Sequence, residues 1–219
     1  MNKLLVSVFA LFVTSVTASS LMAQEVKGDV KAGEHKIAMC IGCHGIRGYQ
    51  ASFPEVYKVP MIAGQGAKYI SSALHAYQAG ERKHPSMRGI AASLTEQDIA
   101  DLAVYYESLG KVHAMPVPGK AEASGKAAEL VTKGACVSCH GDSFSKPIDP
   151  IYPKIAGQHA DYLFVALKSY KNDEHKLWGR GNAIMAGVAK QFSNAELKVL
   201  ANYLHSLPTE LETDRKSVV

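Results

Sequence analysis

All four cysteines of the chain lie in two copies of one five-residue pattern, Cys40-Ile41-Gly42-Cys43-His44 and Cys136-Val137-Ser138-Cys139-His140. Thiols three positions apart on one helical turn share a face. Such a pair can add to the two vinyl groups along one edge of a porphyrin. The histidine directly after the second thiol then offers an imidazole nitrogen to the iron from below the ring. C-x-x-C-H is the pattern by which a chain attaches haem covalently. The spacing therefore predicts two covalently bound haem c groups, one tethered by Cys40 and Cys43, the other by Cys136 and Cys139. His44 and His140 are each predicted to ligate one iron.

Other uses of paired cysteines fit poorly. A zinc ribbon brings its two pairs close in sequence, whereas 92 residues lie between Cys43 and Cys136. A thioredoxin-like motif needs a strand-to-helix junction in a βαβ pattern, and the chain shows almost no strand signal. Structural disulfides would not call for a histidine at the same place twice.

The second axial ligand decides the chemistry. A thioether closes the iron site and raises its potential, which suits electron transfer, whereas an open position permits catalysis. Met87-Arg88-Gly89-Ile90-Ala91 and Met185-Ala186-Gly187-Val188-Ala189 occupy matching places. Met87 comes 43 residues after His44, and Met185 comes 45 after His140. Both fall in predicted loops just ahead of a final helix and are the expected sixth ligands. His84 and His175 compete, but they do not align between the halves as the methionines do. Met39, Met61 and Met115 have no counterparts and read as filler or loop residues.

The imidazoles must also be held from behind. The matched loops Pro60-Met61-Ile62-Ala63-Gly64-Gln65 and Pro153-Lys154-Ile155-Ala156-Gly157-Gln158 are candidates, because proline stiffens a backbone that presents a carbonyl. Lys83, Arg88, Trp178 and Arg180 lie near the methionine segments, where they are placed to contact haem propionates or a partner; a solvated face is the simpler reading.

The elements that position these residues are also written twice. Tyr69, Ala73 and Tyr77 are spaced as a helix that Gly80 ends, and Tyr162, Ala166 and Tyr170 repeat the spacing. Thr95 with Asp98 and Ser193 with Glu196 read as capping boxes. The helices they open carry apolar stripes at Ile99, Leu102, Ala103, Tyr106, Leu109 and at Leu197, Leu200, Ala201, Leu204, Leu207, at a constant offset of 98. The expected fold class is all-α. Domain one spans 25–110, an extended Pro116/Pro118 linker occupies 111–118, domain two spans 119–209, and a polar, frayed tail runs over 210–219. Each half is small for a self-sufficient core, so a buried porphyrin is expected to supply apolar surface and the apo-protein to fold poorly.

Residues 1–23 read as a secretory signal peptide, with Lys3, a short apolar run and a small-residue end at Ala23. The run is short for a membrane span. Removal would leave 196 residues and lower the formal charge from +4 to +3. So mild a charge argues against nucleic acid as a partner.

Taken together, the doubled C-x-x-C-H motif, the doubled Pro-x-Ile-Ala-Gly-Gln loop and the paired Met87 and Met185 resemble the dihaem cytochromes c of the c4 type, across both halves. The resemblance implies two tandem cytochrome c domains related by a pseudo-twofold axis, with His and Met ligands on both low-spin irons. It implies a bacterial periplasmic electron carrier, taking electrons from a quinol-oxidising complex towards terminal oxidases or other reductases, with possible peripheral association with membrane complexes. The alternatives are a fixed cytochrome subunit of a larger dehydrogenase and a dihaem peroxidase; the second requires one open iron.

Overall fold

The computed structural model describes residues 26–110, 122–172 and 174–213. The predicted signal peptide, 1–23, and the predicted linker, 111–118, lie outside the described residues. Among the described residues no helix is long and apolar enough to cross a membrane.

The first half runs α1 (Val30–Glu34), α2 (Ala38–His44), β1 (Gln50–Ala51), β2 (Tyr57–Lys58), α3 (Ala67–Ala79), β3 (Arg82–Lys83), α4 (Pro85–Ala92) and α5 (Glu96–Gly110). The second runs α6 (Gly125–Lys133), α7 (Val137–His140), α8 (Ala160–Ser169), β4 (Gly179–Arg180), α9 (Ala183–Ala189) and α10 (Asn194–His205). Helix dominates, and the described strands are two residues long.

The two final helices organise their halves. Asp98 and Thr95 reciprocate at the start of α5, with N–H to Oγ1 at 3.2 Å and Thr95 N–H to the carboxylate at 3.0 Å. Ser193 and Glu196 form the same capping box on α10. Each box satisfies amide donors that the helix cannot pair internally. Ile99, Leu102, Ala103 and Tyr106 are buried as the 3.6-residue period requires, and so are Leu197, Leu200, Ala201 and Leu204. Leu102, Ala103 and Tyr106 of the first stripe pack against Ile37, Ala63 and Ile70. Leu197 and Leu200 of the second join Leu130 and Phe192, while Ala201 and Leu204 join Phe144, Ala156 and Leu163. Burying a side chain of this size contributes about 1.5–3 kcal/mol.

The halves are joined by contacts that neither could make alone. β3 pairs antiparallel with β4, Arg82 opposite Arg180. Glu81 O accepts from Gly181 N–H at 2.7 Å. Lys168 spans to Glu55 at 2.9 Å.

The C-terminal tail departs from expectation at its start. Glu212 bridges to Ala63 with N–H to O at 3.0 Å, Lys154 pairs with Glu210 at 2.7 Å, and Leu211 is 2% exposed. The polarity of 210–219 suggested fraying, but one buried leucine and a backbone bridge anchor residues 210–212 to the first half.

Candidate haem sites

Each C-x-x-C-H segment is helical and ends on its histidine. Cys40, Cys43 and His44 lie on α2, which Gly45 closes; Cys139 and His140 lie on α7, with Cys136 at its N-cap. None of the four cysteines is in a disulfide. Burial pushes the Cys40 and Cys136 thiols up from their ordinary value.

Both histidines are held as the proline loops suggested. His44 Nδ1 lies 2.8 Å from Pro60 O, and His140 Nδ1 lies 3.0 Å from Pro153 O. A carbonyl only accepts, so Nδ1 carries the proton in each ring. Burial, the largest cause, holds both imidazoles below their usual value despite these carbonyls. A neutral ring with its proton on Nδ1 leaves the Nε2 lone pair for a metal.

The loops themselves are fixed from the final helices. Gly64 N–H donates to Tyr106 O at 2.8 Å and Gly157 N–H to Leu204 O at 2.7 Å. Gly64 has φ +84° and Gly157 φ +67°, a region that L side chains enter at a cost.

Met87 and Met185 sit inside short helices, α4 and α9, and not in loops as their spacing suggested. The reason is local capping. Pro85 opens α4 with its φ already suited to a helix, and His84 Nδ1 accepts from Met87 N–H at 3.4 Å. Asn182 Oδ1 does the same for Met185 N–H at 2.9 Å. His84 and Asn182 therefore occupy matching N-cap positions. The remaining nitrogen of His84 lies 3.1 Å from Tyr57 Oη, so both ring nitrogens are engaged. His175 Nδ1 accepts from Leu177 N–H at 3.2 Å.

Of the arginines between the halves, sequence reasoning missed Arg82 and named Arg180 as a propionate contact or a solvated residue. Arg180, expected on a solvated face, donates to Tyr162 Oη at 3.0 Å and Tyr170 Oη at 3.3 Å, with its guanidinium over both rings. Arg82 mirrors it over Tyr69 and Tyr77. Among the described residues neither has a carboxylate partner, and Arg82 Nε is buried without any hydrogen bond. Two neighbouring cations with an orphaned donor suit a ligand that carries carboxylates, as a haem does. Thiol pairs, neutral imidazoles, capped methionines and uncompensated arginines all match the donor chemistry that a covalently held haem requires. Two sequence signals bear on the arginines, the closeness of Arg180 to Met185 and the shared aromatic spacing of Tyr69/Tyr77 and Tyr162/Tyr170.

The family model described as Cytochrome c matches residues 30–110 and again 124–208. A cytochrome c4 of Pseudomonas aeruginosa is 32% identical over 213 residues, covering 94% of this chain and all of that one. A thiosulfate dehydrogenase electron acceptor of Stutzerimonas stutzeri is 30% identical, covering 84% of this chain and 88% of that one. The crystal structure of reduced recombinant cytochrome c4 from Pseudomonas stutzeri superposes with a TM-score of 0.61 at 28% identity, covering 83% of this chain and all of the other.

Proposed function

Since the chain belongs to the cytochrome c family and carries that domain twice, we propose that it is a periplasmic dihaem electron carrier whose irons are held by His44 with Met87 and by His140 with Met185. Cys40 and Cys43 tether the first haem, and Cys136 and Cys139 the second. The cofactors are two covalently attached haem c groups.

The observation that carries this reading is the pair of Nδ1-to-proline-carbonyl contacts at 2.8 and 3.0 Å. Each fixes a tautomer and a ring orientation before any metal binds. Supporting it are two methionines at matching places in the repeat, each on a helix whose first turn is capped. When bound, each haem supplies a one-electron ferric/ferrous couple. His44 with Met87 and His140 with Met185 would hold the two irons, and burial with the proline carbonyls keeps both histidines neutral for that role. Electrons are expected to enter and leave at exposed apolar ground: Met39 and Ile46 flank the first motif, Val137 lies in the second, and Ile184 adjoins Met185 at 62% exposure. Docking there is expected to be weak and brief.

Partners are redox proteins, with a quinol-oxidising complex as donor and a terminal oxidase or other reductase as acceptor. A second reading, a dedicated acceptor bound to a dehydrogenase, draws support from the relative named a thiosulfate dehydrogenase electron acceptor. Co-purification as a stable hetero-complex favours that reading, and recovery as a lone chain favours the shuttle. Pyridine haemochrome analysis combined with carbon monoxide titration tests both classes of function. Two c-type haems per chain, neither binding carbon monoxide readily when ferrous, is the expected result. One haem, or a five-coordinate iron, overturns the carrier in favour of an enzyme such as a peroxidase.

A further inference from the structure

The two proline peptides that hold the axial histidines are themselves held by the opposite domain. Pro60 O, the acceptor for His44, belongs to the same peptide unit as Met61 N. That N–H donates to Gln158 Oε1 at 3.0 Å, and Gln158 Nε2 donates back to Met61 O at 2.8 Å. The arrangement repeats in mirror fashion. Pro153 O, the acceptor for His140, shares a peptide with Lys154 N, which donates to Gln65 Oε1 at 2.9 Å; Gln65 Nε2 donates to Lys154 O at 2.9 Å. Both glutamines are buried, at 4% exposure each.

The orientation of each amide is fixed by its partners. Oε1 of Gln65 also accepts from Gly66 N–H, and Oε1 of Gln158 from His159 N–H, each at 3.0 Å. A flipped amide would set donor against donor. A buried glutamine costs free energy unless it is paired, and here each Oε1 accepts two hydrogen bonds and each Nε2 donates one.

We infer that Gln158 tunes the haem of the first domain and Gln65 the haem of the second, each as a positioning residue acting across the domain boundary through the peptide that holds the other domain's axial histidine. The inference rests on His44 and His140 being those ligands. The physical route is a chain of hydrogen bonds. A bond accepted from a peptide N–H polarises that peptide and strengthens its carbonyl as an acceptor. A stronger acceptor draws the Nδ1 proton, and the imidazole becomes a better donor to iron. Better donation favours the ferric state and lowers the potential. Contact at the following carbonyl also stops the peptide from rotating. Each domain thus completes the support of the other's iron, and their relative placement becomes a redox parameter.

The test uses holoprotein with both irons followed separately by spectroelectrochemistry and by hyperfine-shifted proton resonances. Gln158→Leu is expected to raise the potential of the first haem and leave the second near its wild-type value; Gln65→Leu is expected to do the reverse. Gln158→Glu keeps an acceptor on Met61 N–H and is expected to return the first potential to or below wild type. Lys168→Met loosens the same boundary without touching either peptide, and should move neither potential selectively. Hydrogen exchange at Met61 N should quicken in Gln158→Leu and at Lys154 N in Gln65→Leu. A shift in the variant's own domain, equal shifts in both, or the same shift from Lys168→Met overturns the inference. Should one leucine variant fail to take up haem, its mirror variant and Gln158→Glu still decide. Wild-type irons that lack histidine ligation would sink the ligand assignment itself, a separable result.

Discussion

Arg82 and Arg180 face each other across the β3–β4 pair, and both guanidiniums donate to one oxygen, Tyr162 Oη, at 2.9 and 3.0 Å. Tyr69, the equivalent of Tyr162 in the first half, receives Arg82 alone among the described residues, at 3.0 Å. The pseudo-twofold relation is therefore broken at its centre. Burial opposes ionisation of Tyr162, but the charges of Arg180 and Arg82 bring its phenol down to about 8. Tyr162→Phe is expected to cost about 2 kcal/mol, since hydrogen bonds to two charged donors are lost together. Tyr69→Phe should cost about half that. The sign with pH follows from a depressed acid: the stabilisation from the ionised phenol is full above the ordinary value of 10.0 and lost as pH falls through about 8. Denaturant titrations of the holoprotein should show the gap between wild type and Tyr162→Phe widening over that interval, by more the less haem carboxylates draw on Arg82 and Arg180. A gap that stays constant or narrows rules out ionisation at Tyr162.

Removal of either methionine should report on one iron alone. Met87→Ala is expected to abolish one of two thioether-to-ferric-iron charge-transfer signals, and Met185→Ala the other. His84→Ala should leave both signals in place, because the two ring nitrogens of His84 are committed to Met87 N–H and Tyr57 Oη. A spectrum unchanged by Met87→Ala would point to another ligand.

Caps on the methionine helices should control how firmly the thioethers are held. Asn182→Ala removes the acceptor for Met185 N–H and is expected to cost about 1 kcal/mol. α9 has only seven residues, so the loss falls directly on the turn that carries the ligand. Ferrous protein should bind carbon monoxide faster at the second haem, with the first unaffected. Identical rates for variant and wild type would separate the cap from ligand retention.

Much of this architecture could be read in advance because it is local or periodic. The capping boxes at Thr95 and Ser193 and the stripes of α5 and α10 depend on neighbours three and four residues away, and these the sequence shows directly. The proline carbonyls behind His44 and His140 were legible because two loops repeat around them. Gln65 and Gln158 ended those same loops in plain sight, yet their partners are 89 and 97 positions distant. No periodicity reports a partner in another domain. Arg180 looked solvated for the same reason: the tyrosines that cover it come from α8 and its C-cap, and the strand that places it beside Arg82 is two residues long. Met87 and Met185 were assigned to loops because helices of eight and seven residues are too brief for a clear hydrophobic period.

Close approach at the loop glycines should make them intolerant of alanine. A Cβ on Gly64 would stand 2.4 Å from Glu210 O, and one on Gly157 would stand 2.4 Å from Thr209 Cβ. Left-handed backbone adds about 1–2 kcal/mol for a residue with a side chain. Gly64→Ala and Gly157→Ala are therefore expected to destabilise by about 3 kcal/mol or more once the clash is added. Gly89→Ala, where a Cβ meets nothing within 4 Å, is the control. Thermal melts of the three holoproteins should place Gly89→Ala near wild type and both others well below it.

Acid should loosen the first domain before the second. Asp101 is 1% exposed on α5, and its carboxylate accepts from Asp29 N–H at 2.7 Å, Lys36 Nζ at 2.6 Å and Gln97 Nε2 at 2.8 Å. Burial pushes its carboxyl up, but Lys36 and the two amide donors outweigh burial and leave it below the ordinary value of 3.8. A depressed carboxylate stabilises the fold fully above its unfolded value and ceases to do so as pH falls through the folded one. Position 199, which corresponds in α10, is valine, so no carboxylate stands at that place in the second domain. Asp101→Asn keeps some acceptor capacity but removes one of the two carboxylates on Lys36, which retains Asp98 at 2.8 Å; the expected cost is about 2 kcal/mol. Acid titration followed by the separate haem resonances should show wild-type domain one losing its native signals below pH 3.8 ahead of domain two. In Asp101→Asn the first domain should already be weakened at neutral pH, with a shallower acid dependence. Simultaneous loss of both domains in wild type would place the acid-sensitive contact elsewhere.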